Sequence, residues 1–314
     1  MADFRATREA LGETLVELAS EGRDDIVVLD ADLAKATSTV KFAKAYPDRF
    51  FDCGVAEQNM IGTAAGLAAG GKTAFTGSFA VFACGRAYDQ VRNSVCYGDL
   101  NVKLTPTHSG ITVGPDGGSH QMIEDIALMR VLPNMRVLVP ADFRAAKGAI
   151  RAAASTPGPF YVRLGRPAVP AVHSEGFVFT VGRAYVLREG SDVTLAACGI
   201  MVARALDAAG ILLAEGVSAE VIDVATIKPL DAETLTASAR KTGAVVTCEE
   251  HSMIGGLSSA VAELLAETAP TAMERVAVRD VFGTSGDPEE LMRHFGLTVA
   301  DIAAAARRVL DRTR

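Results

Sequence analysis

The chain has 314 residues, 49% of them hydrophobic and 22% charged, with a formal net charge of −7 at pH 7. A largely disordered chain needs low hydrophobicity and high net charge and is excluded, and an acidic balance with no Lys/Arg-rich block argues against nucleic-acid binding. No apolar run approaches the roughly 18–20 residues of a membrane span, and the charged start, Met1-Ala2-Asp3-Phe4-Arg5, lacks a signal-like apolar region, so no membrane partner is expected.

In chain order, Leu11, Leu15 and Leu18 recur at helical spacing behind Asp3, a candidate N-cap, which predicts an amphipathic helix over 4–21. The apolar run 26–29 predicts a buried strand. It ends in Asp30-Ala31-Asp32, acids placed beyond the carboxyl end of a strand, where α/β sheets bind ligands. Further strands are predicted at 73–76, 102–107, 136–139 and 159–164, with helices near 57–69, 82–97, 120–130 and 142–154. Pro167, Pro170, Gly176, Gly182 and Gly190 break the pattern over 167–191, which reads as a linker or crossover. Beyond it, strands are predicted at 193–198, 219–224, 244–249 and 275–278, and helices at 200–215, 231–240, 256–268, 287–295 and 298–312. Alternating strands and helices predict two α/β domains, the first with a largely parallel sheet. The expected division is 1–170, a linker over 171–190, and a smaller domain over 191–314. Gly62, Gly66 and Gly70, spaced every four residues on the 57–69 helix, suggest close helix packing.

The five cysteines, Cys53, Cys84, Cys96, Cys198 and Cys248, are irregularly spaced with no CxxC, which fits a reduced, cytoplasmic protein with thiols packed as small hydrophobes. No His/Cys/Asp grouping has metal-ligand spacing, so no metal site is expected on this chain. His173 reads as a linker residue, His251 as a loop residue after Glu249-Glu250, and His294 as a helix surface residue.

The chemistry concentrates in 51–121. Phe51-Asp52-Cys53-Gly54-Val55-Ala56-Glu57-Gln58-Asn59 opens a helix at a carboxylate. Gly77-Ser78-Phe79-Ala80-Val81-Phe82 follows, then Arg86-Ala87-Tyr88-Asp89-Gln90. Thr107-His108-Ser109-Gly110 and Gly114-Pro115-Asp116-Gly117-Gly118-Ser119-His120-Gln121 complete the set. Two of the five histidines thus lie in one Gly-rich segment, where glycines permit close backbone approach. Each piece alone is weak; the ordered set is specific.

That set resembles the C-terminal half of transketolase, its pyrimidine-binding and C-terminal domains. The resemblance runs from Ala6-Thr7-Arg8 through Leu164-Gly165-Arg166 and, more loosely, through Thr226-Ile227-Lys228-Pro229-Leu230-Asp231, Gly255-Gly256-Leu257 and Phe282-Gly283-Thr284-Ser285-Gly286. It implies thiamine diphosphate as cofactor, with Glu57 as the catalytic carboxyl group beside the pyrimidine N1′, favouring the tautomer in which the cofactor's own amine removes the C2 proton. It implies that Phe82 stacks on the pyrimidine, Phe79 lines the same pocket, and Asp32 is an acid near the thiazolium, a position that a strand-end turn would equally explain. Arg8, His108 and Arg166 match phosphate anchors, while Asp116 and His120 match groups at the sugar hydroxyls and reacting carbon, His120 also suiting proton transfer. Gly85 and Arg86 stand where transketolases often have a tyrosine, and neither Arg86 nor Tyr88 receives a role.

The diphosphate half is missing from the pattern. The chain has Gly98-Asp99-Leu100 and Gly286-Asp287-Pro288 but no Gly-Asp-Gly. The resemblance therefore implies a split enzyme in which a separate N-terminal subunit holds the diphosphate and Mg²⁺, this chain self-associates, and the assembly is α2β2. The expected reaction is transfer of a two-carbon ketol unit from a ketose phosphate to an aldose. A β subunit of a 2-oxoacid dehydrogenase and a non-catalytic regulatory subunit are the alternatives.

Overall fold

The computed structural model describes residues 4–313. Seven strands form the first sheet in the order Thr226–Lys228, Arg136–Leu138, Phe160–Val162, Val102–Leu104, Thr73–Thr76, Ile26–Asp30, Phe50–Asp52. All pairs are parallel except that of Thr226–Lys228 with Arg136–Leu138. Ile26–Asp30 and Thr73–Thr76 are buried along their whole length, as strands covered on both faces must be. Five strands form the second sheet in the order Ala272–Val278, Ala244–Ser252, Val193–Ala197, Ala219–Asp223, Tyr185–Arg188, parallel but for the last pair. The two α/β layers share buried surface, and one hydrophobic cluster contains residues from both, among them Met122, Val139, Ala196 and Leu257.

Most predicted elements are present, with differences that have local causes. The first helix starts at Thr7, not residue 4, because Phe4–Ala6 pairs antiparallel with Ala168–Pro170. Ala6 occupies the N-cap position, and the candidate cap Asp3 lies outside the described residues. The 120–130 helix shrinks to Asp125–Arg130, since the Gly-rich segment before it forms the irregular turn Ile111–Asp116 with Gly114 at φ 84°. Residues 82–97 wind as wide turns over Val81–Arg86 and Val91–Cys96, joined by Tyr88–Gln90. The 167–191 stretch is not plain linker, as it supplies Ala168–Pro170 and Tyr185–Arg188 to two sheets. Asp142 secures it from below, capping the Phe143–Ser155 helix through Ala145 N (2.7 Å) while accepting from the N–H groups of Val172 and His173 (2.7 and 2.9 Å). His173 is accordingly a buried residue, stacked on Phe177 with centroids 3.8 Å apart and bonded to Asp223 at 2.8 Å.

His251 is likewise not in a loop but within Ala244–Ser252 and fully buried, whereas His294 sits exposed at the end of the Pro288–His294 helix. The glycine stripe departs from expectation too. A Cβ at Gly62 or Gly66 would meet nothing within 4 Å, because Ile61, Ala64, Ala65 and Ala68 form the buried face and the glycines point outward. Cys84, Cys96, Cys198 and Cys248 are buried free thiols, while Cys53 is partly exposed. Among the described residues, no helix is long and apolar enough to cross a membrane.

Candidate active site

The expected residues collect beyond the carboxyl ends of the central parallel strands. The ladder between Thr73–Thr76 and Val102–Leu104 continues past both strands as a bridge between Phe79 and Thr107. Thr107 N donates to Ser78 O (3.1 Å) and Ala80 N to Thr107 O (2.8 Å). Ser78 and His108 then turn with φ of 75° and 59°. Side chains tolerate such values only under local constraint. The result is an aromatic cluster. Phe79 lies over His108 with centroids 3.8 Å apart, Phe82 is parallel to Phe79 at 6.2 Å, and His120 meets the Phe82 ring edge-on at 5.4 Å.

Glu57 opens the Glu57–Ala69 helix and is 2% exposed. Arg86 Nη1 donates to Glu57 Oε2 at 2.9 Å, and the same guanidinium lies 4.6 Å from the centroid of the Phe82 ring. A buried carboxyl group beside an aromatic shelf is the set that an aminopyrimidine requires: a flat face to stack on and one carboxyl oxygen that, when protonated, donates to a ring nitrogen. The residues present therefore fit the pyrimidine half of thiamine diphosphate.

A cationic pocket adjoins the shelf. Thr7 Oγ1 accepts from Gly165 N at 2.7 Å, which ties Thr7-Arg8 to Gly165-Arg166. Arg8 donates to Ala36 O (2.8 Å), and its buried Nε has no partner. Arg166 donates to Val113 O (2.6 Å) and to Asp116 Oδ2 (3.1 Å). Burial, then the charges of Arg8 and Arg166, push the His108 pKa down to about 3, while Thr107 Oγ1 holds its Nδ1 at 2.7 Å. Burial and then Arg166 also lower the pKa of Arg8. Two guanidiniums facing a neutral imidazole, with a guanidinium N–H left unpaired, form a site for an oxyanion. Asp116, expected at sugar hydroxyls, lies beside this pocket through its ion pair with Arg166.

Asp32 is exposed at the end of Ile26–Asp30 with φ 62°, its N–H donating to Asp52 Oδ1 at 3.0 Å. The buried acid of that turn is Asp30. It accepts from Ala31 N and Leu33 N and from the Thr37 and Thr39 hydroxyls, all within 2.9 Å, and so shapes the loop that carries Ala36 to Arg8. Burial raises the Asp30 pKa in spite of these donors.

Sequence reasoning missed the supports beneath the site. Glu250 Oε1 accepts from Thr112 N at 2.7 Å, and a Cβ on Gly110 would fall 2.2 Å from Glu250 Cδ, so the Gly-rich segment rests on this carboxyl group. Arg163 joins the layers, bonding Asp125 Oδ2 at 2.7 Å and Glu250 O at 2.9 Å, while Tyr161 OH donates to Asp125 at 2.5 Å. Burial would raise the Asp125 pKa, but Arg163, His251 and Tyr161 outweigh it and hold the carboxyl below its ordinary value. An open cleft of about 730 Å³ lined by Arg130, Lys228 and Glu263 lies elsewhere and holds none of the expected residues.

The family described as "Transketolase, pyrimidine binding domain" matches residues 4–172, and "Transketolase, C-terminal domain" matches residues 182–302. The chain belongs to the transketolase family. It is 48% identical over 305 residues to the 6-deoxy-6-sulfo-D-fructose transketolase subunit SqwH of Clostridium sp. (strain MSTE9), covering 97% of this chain and 94% of that protein. It is 36% identical over 302 residues to an apulose-4-phosphate transketolase subunit of Phocaeicola vulgatus, covering 96% of each. Among solved structures it is similar to a split gene transketolase described as an inactive beta4 tetramer, with TM-score 0.92, 55% identity, and coverage of 98% of this chain and 99% of that one. This transketolase chain is thus a transferase subunit of the C-terminal kind, with the mixed α/β architecture of the family's pyrimidine-binding and C-terminal domains.

Proposed function

We propose that this chain supplies the pyrimidine half of a thiamine diphosphate site and the phosphate-anchoring half of a sugar phosphate site, and that a separate N-terminal subunit supplies the diphosphate and Mg²⁺ site. The observation that carries the reading is the adjacency of two unlike features: the buried Glu57 beside the Phe79–Phe82–His120 shelf, and the Arg8–Arg166–His108 pocket that shares His108 with that shelf through Phe79. When bound, thiamine diphosphate supplies the nucleophilic carbon that takes up the ketol carbonyl. The chain's own residues do the rest. Glu57 holds the pyrimidine N1′, Phe82 and Phe79 stack and wall the ring, and His120 sits at their edge to move a proton at the substrate oxygen. Arg8 and Arg166 bind the phosphate, with His108 as a neutral donor or acceptor next to them. Asp116 changes partner from Arg166 to a sugar hydroxyl as phosphate takes over the guanidinium. Asp32 closes the cofactor side near the thiazolium.

The reaction in this reading is two-carbon ketol transfer from a ketose phosphate to an aldose, in a cytoplasmic α2β2 assembly. The two relatives are named for a sulfo sugar and for apulose 4-phosphate, both sugars with an anionic end, which suits the Arg8–Arg166 pocket. The inactive β4 state of the structural neighbour supports dependence on a second kind of subunit. The outward Gly62–Gly66 face lies on the helix that begins at Glu57, where the backbone of another chain can approach closely. We read the domains as 1–170 and 191–314, joined through 171–190. These likenesses favour ketol transfer over the 2-oxoacid dehydrogenase and regulatory alternatives. The chain mixed with a Gly-Asp-Gly-bearing subunit should transfer ketol from xylulose 5-phosphate; turnover with pyruvate instead would support the dehydrogenase reading, and no turnover with either would support the regulatory one.

A further inference from the structure

Arg86 stands in the motif set that located the site but received no role from it, yet it touches two of the site's residues. Its Nη1 donates to Glu57 Oε2 at 2.9 Å, and its guanidinium carbon lies 4.6 Å from the Phe82 centroid. Among the described residues, Glu57 Oε1 is left with no donor. The wide turn Val81–Arg86 places residues 82 and 86 on one side of the segment, so the guanidinium packs on the ring while reaching the carboxyl group. The two ends of the pair differ sharply in exposure, 48% for Arg86 and 2% for Glu57. An exposed ion pair has little effect, but a buried carboxyl group with a single donor is fixed by that donor, and its loss leaves the group unheld.

We propose that Arg86 is a positioning residue for Glu57: it grips the carboxyl group by Oε2, braces on Phe82, and leaves Oε1 as the oxygen presented to the cofactor pyrimidine. The shelf and the carboxyl group are then set relative to each other by one side chain. The stacked ring and the N1′ contact must be met together, and a fixed angle between Phe82 and Glu57 allows this without rearrangement on binding. Lysine reaches the carboxyl group as a point charge but lacks the flat face that packs on Phe82, so it replaces arginine in part.

The inference rests on the reading of Glu57 as the cofactor-facing carboxyl group, and the test separates the two. In the reconstituted two-chain complex, thiamine diphosphate binding is measured by calorimetry, and exchange of its C2 proton with deuterated water is followed by NMR without any sugar present. Arg86→Ala should slow C2 exchange about 10–100-fold, the scale of a small misplacement, while the cofactor dissociation constant changes much less. Arg86→Lys should recover part of the rate. An unchanged exchange rate in Arg86→Ala, with Glu57→Gln slowing it, overturns the positioning role and leaves the Glu57 reading standing. An unchanged rate in Glu57→Gln overturns both. Equal losses of affinity and exchange rate in Arg86→Ala, with no recovery in Arg86→Lys, also contradict the proposal, since Arg86 would then act as a general support of the pocket.

Discussion

Phe79 and His108 stack face to face, their ring centroids 3.8 Å apart and their planes 20° from parallel, although they follow different strands. In the proposed reading the stack joins the cofactor shelf to the anion pocket. It also keeps the imidazole out of water, so that burial and the charges of Arg8 and Arg166 hold its pKa near 3 against an ordinary 6.5. A proton taken up by the unfolded chain first stabilises that chain. His108 therefore contributes stability that is complete above pH 6.5 and is lost progressively as pH falls toward 3. NMR of ¹⁵N-labelled histidine should show a neutral His108 ring from about pH 8 to about pH 5. A midpoint close to 6.5 would mean that the ring is open to solvent.

Glu57→Gln should fold normally and reduce ketol transfer by the reconstituted complex about 10²–10⁴-fold, the usual share of an acid–base group. The amide keeps the shape of the carboxyl group and cannot exchange a proton at N1′. Turnover within a factor of about two of the parent would remove Glu57 from the chemistry.

Arg8→Ala and Arg166→Ala should each raise KM for a phosphorylated donor by about 10–100-fold, the worth of a charge-assisted hydrogen bond. KM for hydroxypyruvate, which has no phosphate, should change far less. Steady-state kinetics with both donors provides the comparison, and parallel losses on the two would make the arginines structural.

Asp125→Ala should destabilise the chain by about 3–5 kcal/mol, because it strands the buried guanidinium of Arg163 between the two layers. The shift in the urea midpoint measures it. A loss below about 1 kcal/mol would show that Glu250 and the backbone acceptors satisfy Arg163 without Asp125.

The alternation of apolar runs and helical periodicity made both α/β layers legible, since runs such as 26–29 are buried on both faces and need no partner information. Short edge pairings escaped because their residues carry no pattern of their own: Phe4–Ala6 is a strand only where Ala168–Pro170 lies beside it, and Thr226–Lys228 crosses to the other sheet. Glu57, Phe79, Phe82, His108 and His120 were readable as an ordered set of motifs, and the structure brings the aromatic members together. Arg86 stood in the same set without a role, because its two contacts, to Glu57 and to Phe82, are made across a wide-turn segment and leave no local pattern. Glu250 and Arg163 were hidden for a similar reason: each acts through a partner far away in sequence, Thr112 for one and Asp125 for the other. His173 and His251 looked like loop residues because local punctuation around them is real, yet Asp223 and the second sheet bury them.

Calorimetric titration of thiamine diphosphate with Mg²⁺ into the purified chain, then into the chain mixed with a Gly-Asp-Gly-bearing subunit, tests the division of the site most directly. In the proposed division the chain gives the cofactor a stacking shelf and a carboxyl group while its guanidinium pocket takes the sugar phosphate, so the diphosphate depends on the second subunit, and charge buried without partners is strongly unfavourable. Weak or no binding to the chain alone is expected, with tight binding and ketol transfer in the mixture. Tight binding and full turnover by the chain alone would contradict a divided site.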